Sequence, residues 1–418
     1  MTAKDVFTPF GFPTVTFIDE HLVQRANILK DALDVGNCVI AISGPSKSGK
    51  TVFVENLVGH GNMIHVTGSG VDRAGKLWDR VFDQIGTSVD TKHTEETGFL
   101  GSLGAKVGAG AGVLIKAQGE FESSAAWTSK GGTTESKATD YQQLLVRELG
   151  GSGFVVFIDD FHYIAKDAQI ELAQHIKEAI RQKVSIICAS VPYHSDDVLK
   201  ANADLRGRMV SIDFDYWQPD VLDKIAEKGF DALNIECSKA VASAFAGEAA
   251  GSPQLMQSLC LNACLEAGFR KKGWSQQRIP EDSDFFKRVC TRTALTVDYS
   301  STVGKMKEGP KTGGTERKTH RLKDGNDFDV YPIVLRAVAL DPPELTHRYP
   351  SLQQRIEQIC EGSVPVGSSV TGACEHLAAI ANDSAAVQVI EWDQGNDVLD
   401  IRDPYLLFYL RWSEFTDF

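Results

Sequence analysis

The stretch Ile42-Ser-Gly-Pro-Ser-Lys-Ser-Gly-Lys-Thr51 constrains this chain more than any other. It follows an apolar run, Cys38-Val-Ile-Ala-Ile42, and precedes another, Val52-Phe-Val-Glu-Asn-Leu57. Gly44-Pro45-Ser46-Lys47-Ser48-Gly49-Lys50-Thr51 matches G-x-x-x-x-G-K-[ST] at every fixed position. In such a loop the glycines let the backbone curl until successive N–H groups face phosphate oxygens, and the following helix, with Val52 in its first turn at the nucleotide, adds its positive end. Lys50 is placed to neutralise β- and γ-phosphate charge, and the Thr51 hydroxyl to ligate Mg²⁺. A strand before and a helix after separate this phosphate cradle from a chance Gly/Ser turn.

The rest of the chain supplies a sheet for the loop to stand on. Apolar runs at 39–43, 62–67, 154–158, 184–190 and 209–213 read as strands. Helical spacing occupies 18–34, 50–58, 73–85, 139–149 and 168–182. Strands alternating with helices predict an α/β unit, a parallel sheet covered on both faces, over 1–217. After Trp217-Gln-Pro219 only helices follow, at 219–230, 237–248, 253–268 and 281–296, which predicts a helical unit over 218–300. Residues 301–328, rich in Gly, Thr and Lys/Arg without apolar periodicity, read as a basic linker or loop. Helices at 329–340, 350–361 and 367–381 precede a hairpin, VQVIEW and DVLDI around Asp393-Gln-Gly-Asn396, and a closing helix, PYLLFYLRW. Three helices and a two-stranded ribbon are the layout of a winged helix over 329–418.

One segment fits none of these units. Between 98 and 133 the chain is Gly-rich, and from Ala105 to Phe121 apolar residues alternate with Gly, Lys, Gln or Glu, Leu114 excepted. An oligomer-forming hairpin, a Gly-rich loop, a membrane-entering hairpin and a strand that binds a partner all remain open for it. Elsewhere no apolar run reaches the roughly 18 residues of a membrane helix, and the N-terminus lacks a signal-peptide layout. Eight scattered cysteines form no C-x-x-C pair, so zinc is not expected and a reducing, cytoplasmic setting is. A formal charge of −13 argues against a protein that coats nucleic acid indiscriminately.

Further site residues follow from the cradle. Phe154-Val-Val-Phe-Ile158 ends in Asp159-Asp160. A carboxylate at the end of a buried strand can hold magnesium through water, which is the role for Asp159, while Asp160 can polarise an attacking water as general base. Ser190, ending the next strand, reads either as a sensor of the γ-phosphate or as a strand-end turn. Arg206 and Arg208 could each act as a finger in a neighbouring subunit's site or pair at the surface, and Arg208 is the favoured one. Pro253, in Gly-Ser-Pro, is either a helix start or a contact to the base.

Taken together, this core, the Asp159-Asp160 pair, the helical unit with its Gly-Ser-Pro and the C-terminal layout resemble the STAND branch of AAA-related P-loop ATPases, which includes the NACHT and apoptosis-type NTPases. The resemblance implies a P-loop NTPase core with a helical lid and a C-terminal winged-helix domain, and ATP/ADP with Mg²⁺ as ligands. It implies a switch, closed with ADP and a homo-oligomer with ATP, often in signalling or defence against phage. The tail Asp400-Ile-Arg-Asp-Pro404 onward is similar to that of prokaryotic ATPases of this kind. Two departures are evident: the winged-helix histidine that touches phosphate in relatives has no assignable counterpart, and no repeat array follows. A sensor or effector would then be a separate protein. DNA is the alternative partner, in a transposition helper or replication initiator. The would-be recognition helix 367–381 has no Lys or Arg, so only the basic stretch from Lys305 to Lys323 could meet phosphates, unless it is a solvated loop.

Overall fold

The computed structural model describes residues 1–87, 140–191, 205, 207–314, 316–383 and 388–413. The alternating segment 98–133 and Arg206 lie outside them. In chain order the first unit contains α1 (Ala3–Val6), α2 (Val23–Val35), β1 (Val39–Ser43), α3 (Lys50–Val58), β2 (Met63–Thr67), α4 (Ala74–Ile85), α5 (Tyr141–Leu149), β3 (Val155–Asp159), α6 (Lys166–Arg181), β4 (Ser185–Ser190) and β5 (Met209–Asp213). The five strands form one parallel sheet in the order β2-β3-β4-β1-β5. All five residues of β1 are buried, as expected of a strand covered on both faces. On one face Trp78, Phe82, Leu172 and Ile176 cover the sheet; on the other Leu29, Phe53 and Phe214 do so.

Four helices follow: α7 (Pro219–Ala232), α8 (Lys239–Glu248), α9 (Pro253–Glu266) and α10 (Ser283–Ala294), with the short parallel pair β6 (Ile235–Glu236) and β7 (Gln277–Arg278). Their core corrects one sequence boundary. Ala3, Val6, Phe7 and Ile18 are buried among the residues of this helical unit, not against the sheet. Phe7 lies so close to α7 that a Cβ at Gly229 would stand 2.1 Å from its ring. The N-terminal segment therefore straps the lid, a long-range contact that local pattern does not encode.

Residues 301–328 are likewise not a bare linker. α11 (Ser300–Glu308) buries Val303 and Met306, and β8 (His320–Arg321) pairs with β9 (Asp327–Phe328). Two apolar side chains three apart were enough to seat a helix among Gly, Thr and Lys. The last unit runs α12 (Val330–Val338), β10 (Thr346–Arg348), α13 (Tyr349–Ile359), α14 (Gly367–Asn382), β11 (Ile390–Asp393), β12 (Val398–Ile401) and α15 (Pro404–Trp412). The expected hairpin β11–β12 is present, and β10 adds a third strand to its β12 side. No helix among the described residues is long and apolar enough to cross a membrane.

β10 carries a testable liability. The His347 side chain is 0% exposed; one ring nitrogen meets the Glu344 carbonyl at 2.9 Å, and the other, 4.0 Å from the Glu344 carboxylate, has no hydrogen-bond partner among the described residues. Burial, helped by the charge of Arg355, pushes its pKa down to about 4. An unfolded histidine titrates near 6.5, so below that pH the unfolded chain takes up a proton that the folded one refuses. His347 thus favours folding above about pH 6.5, and that advantage drains away as pH falls toward about 4, by roughly 3 kcal/mol in all. The stability gap between the wild type and His347→Gln, measured in urea at several pH values, should narrow by about that amount across the window. A gap independent of pH would contradict this.

Candidate active site

The site stands on the carboxyl ends of the strands. Register sets Thr67 beside Asp159 and Ser43 beside Ser190, so the loop after β1, the acids after β3 and the end of β4 converge. The loop turns over Phe214: a Cβ at Gly44 would lie 2.4 Å from that of Phe214, so no side chain fits. Gly49, at φ 92°, turns the chain into α3. The first loop N–H, that of Gly44, donates to the Ser190 carbonyl at 3.2 Å.

Lys50 opens α3, and its buried ammonium donates to the Gly44 and Pro45 carbonyls at 2.8 and 2.7 Å. Burial draws its pKa down to about 8; Asp159 and Asp160 oppose this, and the cation of Arg402 reinforces it. The Thr51 hydroxyl donates to Asp159 at 2.9 Å, so the two groups assigned to one magnesium are in contact. Burial would raise the Asp159 pKa, yet His65, the Lys50 charge and the Thr51 hydroxyl together hold it below the usual carboxylate value. Asp160, in the left-handed region at φ 55°, is pushed up to about 6 by burial and by Asp159. At pH 7 it remains largely ionised, as a base must be.

A cavity of about 580 Å³ opens over these residues, ample for a small ligand. Ser46, Lys47, Gly49, Lys50, Thr51 and Val52 line it with Asp159 and Asp160. Its apolar lining comes from distant parts of the chain: Phe12 and Phe17, stacked at 6.0 Å, and Trp217 and Pro253, which lie against Gly49 of the loop. Trp217 also donates its indole N–H to the Ser48 carbonyl at 3.0 Å, tying lid to loop. Pro253 begins α9 behind a Ser252 cap, and it also lines the cavity.

The C-terminal unit reaches the same place. Arg402, 3% exposed, lines the cavity from the end of β12 and is held by Glu391 and by Asp400, the latter at 3.2 Å. Next to it Asp403 takes Lys47: the ammonium meets both carboxylate oxygens at 2.7 and 2.8 Å and lies 4.4 Å over the Tyr405 ring. The Tyr299 hydroxyl donates to the same carboxylate at 2.6 Å. Sequence reasoning missed Phe12, Phe17, Trp217 and Arg402. The tail Arg402-Asp403-Pro404 was noticed, but nothing in it announces contact with residue 47.

Not every expected residue joins the cavity. Ser190 is buried at its strand end beside the loop, while its neighbour Val191 is the one lining the cavity. Arg208 precedes β5, its carbonyl accepting from Val39 at 2.9 Å. That is the far end of the sheet, about 13 Å along β1 from Ser43, so Arg208 takes no part in its own chain's site.

The residues present fit a nucleotide with its metal. The Ser48 hydroxyl is buried with no hydrogen-bond partner among the described residues, and the cradle ends in a cation. Threonine and aspartate oxygens are the hard donors magnesium takes, with water and phosphate completing its shell. No protein-family model matches the chain, and no curated protein sequence does. Among solved structures, the Walker-type ATPase PABY2304 of Pyrococcus abyssi is similar, with 16% identity, 94% of this chain and 95% of that one covered, and a TM-score of 0.51. The fold is that of a P-loop NTPase. Weaker likenesses are to the Aeropyrum pernix ORC2 protein (10% identity, 97% and 96% covered, TM-score 0.47) and Cdc6p from Pyrobaculum aerophilum (12%, 97% and 96%, 0.44).

Proposed function

We propose that this chain is an AAA+-like ATPase of the STAND kind, a switch whose bound nucleotide decides whether the C-terminal unit holds or leaves the phosphate loop. The observation that carries this reading is the two-oxygen ion pair of Lys47 with Asp403, which joins the loop to the C-terminal unit. Bound ATP with Mg²⁺ supplies the phosphoanhydride to be cleaved. The loop N–H groups and Lys50 bind and orient its phosphates, while Thr51 and Asp159 hold the metal. Asp160 takes the proton of the attacking water, and Arg402 faces the site from the C-terminal side only while the latch holds. The aromatic lining, Phe12 and Phe17 with Trp217 beside the loop, takes the base and excludes water.

Because Lys47 belongs to the loop itself, filling the site and keeping the latch draw on the same few residues. With ADP the latch holds; with ATP it opens, the helix–strand–helix–helix–hairpin unit, read as a winged helix, swings free, and copies assemble. In that assembly Arg208 enters a neighbour's site as a finger. The role fitting such a device is cytoplasmic signalling or anti-phage defence with a separately encoded effector. A DNA-directed ATPase is less favoured, because α14 presents Ser368, Ser369, Glu375 and His376 but no Lys or Arg.

Mass photometry tests this. The wild type should be monomeric with ADP and oligomeric with a non-hydrolysable ATP analogue. Asp403→Ala, losing a charge-assisted pair with about 1.5–3 kcal/mol at stake, should assemble at roughly tenfold lower analogue concentration. Monomers in every nucleotide state, in both proteins, would overturn the proposal.

A further inference from the structure

The helical unit carries a feature that the nucleotide site does not use. Between α9 and β7 runs Arg270-Lys-Lys-Gly-Trp-Ser-Gln-Gln277. Trp274 is fully exposed, at 106%, which no other described large apolar side chain matches. The loop is nevertheless pinned. The Arg270 carbonyl accepts from Ala3 at 3.1 Å, Lys272 donates to Met1 at 3.2 Å, Gly273 donates to Leu233 at 3.3 Å, and Gln277 donates to Asn234 at 3.1 Å. A Cβ at Gly273 would stand 2.7 Å from the Ser275 carbonyl, a tightness that turns the chain sharply just before Trp274. A rigid turn therefore presents an indole to water, at a cost in exposed apolar area that folding alone does not explain.

The charge beside it is equally unusual. Arg270, Lys271 and Lys272 are exposed, and none has a side-chain ion pair among the described residues, whereas the nearby Arg278 pairs with Glu236 at 2.9 Å. In a chain of formal charge −13, three consecutive unpaired cations reverse the prevailing sign. A flat aromatic face flanked by cations matches a ligand that alternates flat apolar faces with negative charges, which is the chemistry of a single strand of nucleic acid. The exposed residues after Trp274 are Ser275 and Gln276, hydrogen-bonding groups that suit base edges and would be costly to sink into a lipid interface.

We propose that this loop is a contact site for single-stranded nucleic acid, with Trp274 stacked on an unpaired base and Arg270, Lys271 and Lys272 neutralising neighbouring phosphates. Binding is sequence-tolerant, since every base has a face to stack. It is independent of the latch and of ATP turnover, so either idea can fail alone.

The probe is a fluorescein-labelled oligothymidine of about 20 nucleotides, long enough to span several binding positions, titrated with the full chain at low salt. Trp274→Ala should weaken binding by roughly tenfold or more. Lys271→Glu with Lys272→Glu should flatten the salt dependence by about 0.7 per lost phosphate contact. Both variants should take up nucleotide as the wild type does. Quenching of Trp274 emission, isolated as the difference between the wild type and Trp274→Phe, reads the stack without depending on an alanine variant's folding. No binding, binding indifferent to these substitutions, or capture by phosphatidylserine vesicles in place of the strand would each overturn the assignment.

Discussion

Lys50→Ala should lose ATP binding by about 100-fold or more while leaving the fold in place. The size follows from what the ammonium does. It is buried and directed into the loop, where it satisfies the Gly44 and Pro45 carbonyls. On phosphate it would exchange these neutral acceptors for charged ones, and hydrogen bonds to charged groups contribute about 1.5–3 kcal/mol each. Two such bonds amount to roughly 3–6 kcal/mol, or at least two decades in Kd. The folded state loses little, because burial already disfavours this ammonium, whose pKa is drawn down to about 8. Thermal unfolding separates the two effects. A ligand at about 100 times its Kd stabilises by about 2.7 kcal/mol; the wild type should show that rise with ATP and the variant should not. Equal nucleotide-induced stabilisation of both proteins would remove Lys50 from the site.

Asp160→Asn should do the opposite, binding ATP normally but turning it over about 10²–10⁴ times more slowly. Asparagine keeps the shape and tolerates the left-handed backbone at φ 55°, so only the base is removed. Burial and Asp159 push the Asp160 carboxyl up to about 6, close enough to neutrality to accept a proton and release it. Trapped with ATP, the variant should also accumulate in the assembled form. Phosphate release and mass photometry read the two consequences separately. Normal turnover would shift the base role to another group.

The parts of this site legible in the sequence are the contiguous ones. A loop that must curl around phosphate, a strand that must end in an acid and a helix that starts at Lys50 each obey local rules, and the strand β5 and the helices α3 and α15 fall where their patterns put them. What escaped comes from far along the chain. Phe12 and Phe17 sit on an N-terminal strap whose partners lie more than 200 residues away, as Thr16 with Gln257 at 2.6 Å illustrates. Arg402 and Asp403 meet the loop only because the C-terminal unit folds back onto it. Periodicity also misses short elements: β10 is three residues, Thr346-His-Arg348, whose buried member is a polar histidine.

Titrating the purified chain with ATP and magnesium in a calorimeter goes to the heart of the account. One molecule bound per chain, with the heat abolished by Lys50→Ala, is the expected result. A folded wild type that gives no heat with any purine nucleotide would contradict it.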